Sequence, residues 1–238
     1  MMNVLAVFRR ELSSSFDSPL AYIVVPVFLG LVATFTLWFQ DIFSQGVVSL
    51  RSFFFWSSLF FVILVPAITM RLFAEERRTG SLELLVTLPI SETQVVLGKY
   101  LSALALLVVA LLLTASYPVS MAMLGELDWG PVIGGYLGLL LLGAALCGVG
   151  VAASALTSNQ VVAFLVSMVL CLLPFAMGFF LHKVPATLLP VVQYMTIDYH
   201  FNNLARGVLD TRDLFYFVSV GATGLAVAVL ALRHGRLK

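Results

Sequence analysis

The sequence predicts an all-α integral membrane protein with six transmembrane helices, and three observations carry that prediction. Of the 238 residues, 61% are hydrophobic and only 11% are charged, with a mean hydropathy of +1.06. A soluble domain of this size carries about 25% charged residues, so the solvent for most of this surface must be lipid. Uncharged windows long enough to cross a bilayer recur along the chain. Lysine and arginine fall unevenly on the two sides of those windows. The net charge of +1 gives no attraction for nucleic acid. Cys147 and Cys171 both lie in apolar runs and form neither a disulfide framework nor a metal-ligand spacing.

Residues 3–16 read as a short amphipathic helix lying in the membrane interface. Val4, Leu5, Phe8 and Leu12 share one face, and Arg9, Arg10 and Glu11 lie elsewhere. The charges follow the first short apolar stretch instead of preceding it, and no small-residue cleavage site follows, so the first long apolar run is expected to stay as a spanning helix. The spans are placed at about 20–39, 52–70, 98–120, 131–155, 161–182 and 214–232. The uncharged stretch from Trp129 to Leu181 is too long for one helix, and its polar cluster Thr157-Ser158-Asn159-Gln160 divides it in two. Pro26, Pro66, Pro118 and Pro174 fall inside spans and are expected to kink them. Gly134-xxx-Gly138 in the fourth span is a close-packing motif. With the amino terminus inside, nine Lys/Arg lie inside and four (Arg51, Lys183, Arg206, Arg212) outside, which puts both termini in the cytoplasm.

The inner loop after the second span is the most informative stretch. It opens on Glu75, Glu76, Arg77 and Arg78, and Gly80 then caps or breaks the helix. A short amphipathic segment, Ser81 to Thr87, ends near Pro89. Ser91 to Gln94 is a capping box with Ile90 and Val95 set for a hydrophobic staple, so the third span has a specified start. A helix bearing Leu82, Leu84 and Leu85 beside charges suits docking of a partner protein. The central portions of the spans hold no ionisable residue, which disfavours an ion-coupled carrier. No G-x-x-x-x-G-K-[ST] loop is present, so ATP would have to be bound by a partner.

The order of two helices, EERRTGSLELLVTLPIS, and a third helix beginning VVLGKYLSAL resembles the ABC-2 (type-2 exporter) permeases. The stretch from His200 to Phe217, HFNNLARGVLDTRDLFYF, is similar to the segment before the last helix of that family. The likeness is strongest to the subgroup of gliding-motility and copper-processing permeases, and it covers the chain as one transmembrane domain, 1–238. It implies a permease subunit of an ABC exporter, itself non-catalytic and without a bound cofactor. ATP and Mg would sit in two copies of an ABC ATP-binding subunit, and a second permease copy would complete a homodimer in the bacterial cytoplasmic membrane. A periplasmic or membrane accessory protein is a further expected partner. The ATPase-coupling positions implied are Glu76, Arg77, Arg78, Thr79, Gly80, Ser81, Leu82, Glu83 and Leu84. The interfacial gate helix is Phe8, Arg9, Arg10, Glu11 and Leu12. Short re-entrant helices would precede the sixth span. Unlike the larger export permeases of the family, this chain carries no large outer domain.

Two other readings start from the residues. Asp198 and His200, two positions apart on the outer side, would be the working pair of an outer-face membrane enzyme. A non-transporting scaffold would need the same coupling helix as the exporter. Tyr194, Tyr199, Tyr216 and Phe217 read as an outer aromatic belt, and Phe60, Phe61 and Phe175 as the lining of an apolar pathway.

Overall fold

The computed structural model describes residues 2–38, 49–81 and 90–236, and among these every regular element is helical. In order they are α1 (Met2–Asp17), α2 (Pro19–Trp38), α3 (Arg51–Thr69), α4 (Arg71–Thr79), α5 (Glu92–Leu113), α6 (Ser116–Leu124), α7 (Trp129–Leu156), α8 (Gln160–Phe179), α9 (Leu189–Met195), α10 (Ile197–Ala205) and α11 (Thr211–Arg236). A 3-10 turn at Leu181–Lys183 sits between α8 and α9. Six segments are long and apolar enough to cross a membrane: α2, α3 with α4, α5 with α6, α7, α8 and α11. The chain is therefore a multi-pass membrane protein. Six crossings put α1, the far end of α4, the start of α5 and the end of α11 at one membrane face. That face is called the termini face below.

The division of the long apolar stretch falls at Asn159, whose side chain accepts hydrogen bonds from the backbone of Val161 and Val162 and starts α8. The capping box at Ser91 and Gln94 is complete, with both reciprocal bonds formed. Several helices run longer than the uncharged windows suggest, the last from Thr211 to Arg236. The second crossing continues through the charged α4 to Thr79, and the third starts at Glu92. A helix propagates cheaply through solvated charges once nucleated, so lack of charge marks the apolar part of a span and not its ends.

α7 is the most buried crossing, while α2, α8 and α11 bury the least. The reason lies in its small residues. A Cβ on Gly148 would stand 2.5 Å from the carbonyl oxygen of Gly221 and 2.9 Å from its Cα, so α7 and α11 meet backbone to backbone. Gly138 is covered by Leu204 and Phe201 of α10, and Gly143 by Leu107 of α5 and Phe61 of α3. This is the packing that small residues permit where lipid supplies no hydrophobic drive between helices.

α7 also mends two breaks in its neighbours. Pro118 cannot donate to Thr114, and its ring crowds that carbonyl; the third crossing breaks there, between α5 and α6. Tyr136 Oη of α7 donates at 2.9 Å to the Thr114 carbonyl, which also accepts from Tyr117 N at 3.0 Å. The second crossing breaks at Met70. Ser154 Oγ of α7 donates to the Met70 carbonyl at 2.9 Å and accepts from Phe73 N at 3.0 Å and Ala74 N at 3.2 Å. Phe60, Phe61 and Phe175 are buried in the core of the single chain, against the expectation that they line an apolar pathway. Aromatic rings fill the irregular volume between crossing helices, so their burial follows from packing.

Replacing Gly148 with Val should force α7 from α11 and lower stability by about 1–3 kcal/mol. Thermal unfolding in detergent would show the loss. Gly30, where an added Cβ meets nothing within 4 Å, should accept Ala without a fall in the midpoint.

Candidate functional site

At the termini face the chain draws four charged side chains from three helices into one cluster. Lys99 of α5 stands 3.0 Å from Glu11 Oε1 of α1 and 2.9 Å from Glu76 Oε1 of α4. Arg10 Nη2 donates to the same Glu76 oxygen at 3.0 Å. The Lys99 side chain is 1% exposed, those of Glu76 and Glu11 11% and 13%, and that of Arg10 63%. Two cations and two carboxylates balance, the condition under which buried charge is tolerated. Lys99 also lies over the Phe73 ring, 5.1 Å from its centroid.

Local sequence explains each position. Lys99 is two turns into α5 from the capping box, on the inward side together with Val95, Val96 and Ser102. Gly98 beside it admits α1, because a Cβ there would lie 2.7 Å from Val7 Cβ. Leu5, on the apolar face of α1, is 49% exposed, as a lipid-facing side chain would be, while Glu11, off that face, turns inward to Lys99.

α4 is fastened at several further points. Arg71 Nη1 donates to Ser18 Oγ at 2.6 Å and Nη2 to the Ser14 carbonyl at 3.0 Å. Arg77 Nη2 donates to the Ala231 carbonyl of α11 at 3.3 Å. Gly80 ends the helix in the left-handed conformation, φ 73°, which glycine alone adopts without penalty. Of the expected coupling positions, Glu76 and Arg77 face inward, Arg78, Thr79 and Gly80 are exposed, and Ser81 is partly covered. Leu82, Glu83 and Leu84, with the rest of the expected short helix to Thr87, lie outside the described residues.

At the opposite face the structure does not pair Asp198 with His200. His200 is wholly buried, with Nδ1 2.6 Å from Asp213 Oδ1 and Nε2 2.8 Å from the Tyr194 carbonyl. A carbonyl only accepts, so Nε2 carries a proton and a second proton lies between Nδ1 and the Asp213 carboxyl. Asn203 Nδ2 donates to the other Asp213 oxygen at 3.1 Å. Both ring nitrogens and both carboxylate oxygens are thus occupied within the fold, and no substrate can reach them. Tyr216 stacks on the His200 ring, centroids 4.1 Å apart, and Tyr194 and Tyr199 meet it edge-on. These aromatics and the buried Phe217 gather around one histidine, while Tyr194 and Tyr199 also stay exposed at that face. Sequence reasoning missed Asp213 because it flanks the last uncharged window. It missed Lys99 and Ser154, and named Glu11 without its partner, because the contacts are distant in the chain; a lone lysine two turns inside an apolar helix was the available signal.

Fold and cluster together define a multi-pass membrane subunit whose second crossing runs on into a charged, clamped helix at one face. A family model described as ABC-2 family transporter protein matches residues 36–233. The chain belongs to that family and is a membrane permease component of an ABC transporter, a family whose transmembrane subunits pair with an ABC ATP-binding subunit. No curated protein matches the chain.

Lys99→Met should leave Glu11 and Glu76 facing each other and cost about 3 kcal/mol. Arg10→Gln, at the solvent edge, should cost less than about 1 kcal/mol. Chemical or thermal unfolding of both variants checks the difference. Burial pushes the Asp198 carboxyl above its usual value, so the folded chain holds that proton more tightly than the unfolded one. Its contribution to stability is present at low pH and declines as pH rises from about 4 through the raised value. Asp198→Asn should flatten that part of the stability profile.

Proposed function

We propose that this chain is the membrane-spanning subunit of an ABC exporter of the bacterial cytoplasmic membrane. Both termini lie in the cytoplasm, and two copies of the chain work with two ATP-binding subunits. ATP and Mg belong to those partners; the chain itself is non-catalytic and binds no cofactor. The observation that carries the reading is the clamped helix α4. It prolongs a membrane crossing, ends at Gly80, and is tied to α1 and α5 through Lys99 and to α7 through Ser154. A force applied at residues 77–81 would reach α1, α5 and α7 through these contacts. Arg78, Thr79 and Gly80 are exposed and, with Ser81, Leu82, Glu83 and Leu84, would form the surface that meets the ATPase. Glu76 would transmit from inside. Phe8 to Leu12 would form the gate-side elbow carried by the same clamp.

The excess of Lys/Arg on the termini face supports the orientation. The likeness of the loop sequence to gliding-motility and copper-processing permeases supports work on envelope components as the family branch, with an accessory protein as a further partner.

Arg78→Glu or Glu83→Lys should reduce ATPase stimulation in the purified complex on the order of tenfold, equal to about 1.4 kcal/mol of coupling, with membrane insertion unchanged. Partner retention and transport both at the unmodified level would sink the coupling role.

A further inference from the structure

A cavity of about 250 Å³ lies at the face opposite the termini, where the first turns of α3 and α7 meet the end of α10. These three ends share that face because each follows an odd number of crossings. The cavity floor is apolar: Leu50, Phe54 and Val132 line it and are buried. Its rim carries Arg51 and Arg206, two of the four cations assigned to that side. Both are exposed, and neither guanidinium has a carboxylate partner among the described residues. Asp128 also lines the cavity, but one of its oxygens is committed as the cap of α7, accepting from Gly130 N at 3.0 Å.

The position of Arg206 is built into the fold. Gly207 takes φ 80° and turns the chain back after α10. Gly134 of α7 packs against the Leu204 carbonyl and stands close enough that a Cβ there would come within 2.9 Å of Gly207 Cα. Arg206 is therefore held to α7, while Arg51 belongs to the first turn of α3. Two guanidiniums without a carboxylate partner among the described residues, over an apolar floor at the membrane border, are complementary to an anionic oxygen group carried on an apolar body, because arginine binds phosphate through parallel charge-assisted hydrogen bonds.

We infer that this cavity binds a phosphate-bearing anionic headgroup, with Arg51 and Arg206 gripping the phosphate and Leu50, Phe54 and Val132 covering its apolar attachment. The occupant ties α3 to the α10 turn. This site is independent of the ATPase coupling proposed above, since it lies at the other face and uses none of those residues.

The test uses the full chain purified in detergent, with phosphatidylglycerol, phosphatidylcholine and inorganic phosphate as probes and retained lipid counted by native mass spectrometry. The unmodified chain should retain phosphatidylglycerol over phosphatidylcholine. Combined Arg51→Gln and Arg206→Gln should weaken that retention by tenfold or more, the scale expected for lost charged hydrogen bonds. Arg212→Gln, on the same side but outside the cavity, should leave it unchanged. Displacement of the lipid by millimolar inorganic phosphate would mark a soluble phosphate ester as the ligand; no displacement would mark the lipid headgroup. Equal retention by the double variant, or an equal loss in Arg212→Gln, would overturn the site. If the double variant does not fold, each single Arg→Gln change should lose several-fold, and no loss from either overturns it.

Discussion

Inside a bilayer a backbone carbonyl or amide that loses its helical partner has no water to turn to, and the rest of this structure depends on how that constraint is met. Both the second and the third crossings are broken, at Met70 and at Thr114. Each break lies against α7 and is hydrogen-bonded to one α7 side chain, Ser154 or Tyr136. α7 can stand at the centre because its glycines let neighbours approach to backbone contact. The same helix thus supplies the space for close packing and the polar atoms that make broken helices tolerable. The two breaks permit a bend in each crossing without exposing unpaired polar groups to lipid.

The charged residues are sorted by this arrangement into two separate knots. At the termini face Arg10, Glu11, Glu76 and Lys99 lock α1, α4 and α5 together. At the other face His200, Asp213 and Asn203 hold α10 to the first turn of α11. The first knot surrounds a helix that ends in exposed Arg78 and Thr79, so it joins an outward-looking surface to the membrane crossings. The second knot is closed on itself, and its histidine is a fastening and not a reagent. The distinction rests on access: the Arg10 side chain of the first knot is 63% exposed, whereas His200 and Asp213 of the second are buried.

Much of the architecture was legible because lipid imposes a plain rule on composition. The six crossings followed from uncharged windows, the division at 157–160 from a polar cluster that contains the Asn159 cap, and the start of α5 from the Ser91 capping box. These signals are local, and local chemistry decides them. What stayed hidden was long-range. Lys99 looked like an ordinary loop cation because nothing near it in sequence reveals Glu11 or Glu76 as its partners. His200 was matched to Asp198, its neighbour in sequence, whereas a turn of chain brings Asp213 to its ring instead. Phe60, Phe61 and Phe175 suggested a pathway because apolar residues read alike whether they face a core, a lumen or lipid. The likeness of the inner loop to one family was legible as pattern, and the family match over residues 36–233 rests on nearly the whole chain.

The charge clamp also fixes an order of events during synthesis. Glu11 leaves the ribosome first, yet its counter-ion Lys99 follows only after two complete crossings have been made. Until then α1 can make its contacts with α4, Arg10 to Glu76 and Arg71 to the Ser14 carbonyl, but not those with α5, since both the lysine and the Gly98 surface that receives Val7 belong to α5. The amino-terminal helix must therefore wait at the membrane surface while the chain behind it is inserted. Its closure against α4 and α5 becomes a check that the second and third crossings have been threaded correctly. A nascent chain with a missing or inverted crossing would carry its lysine to the wrong side of the bilayer, leaving Glu11 without its counter-ion.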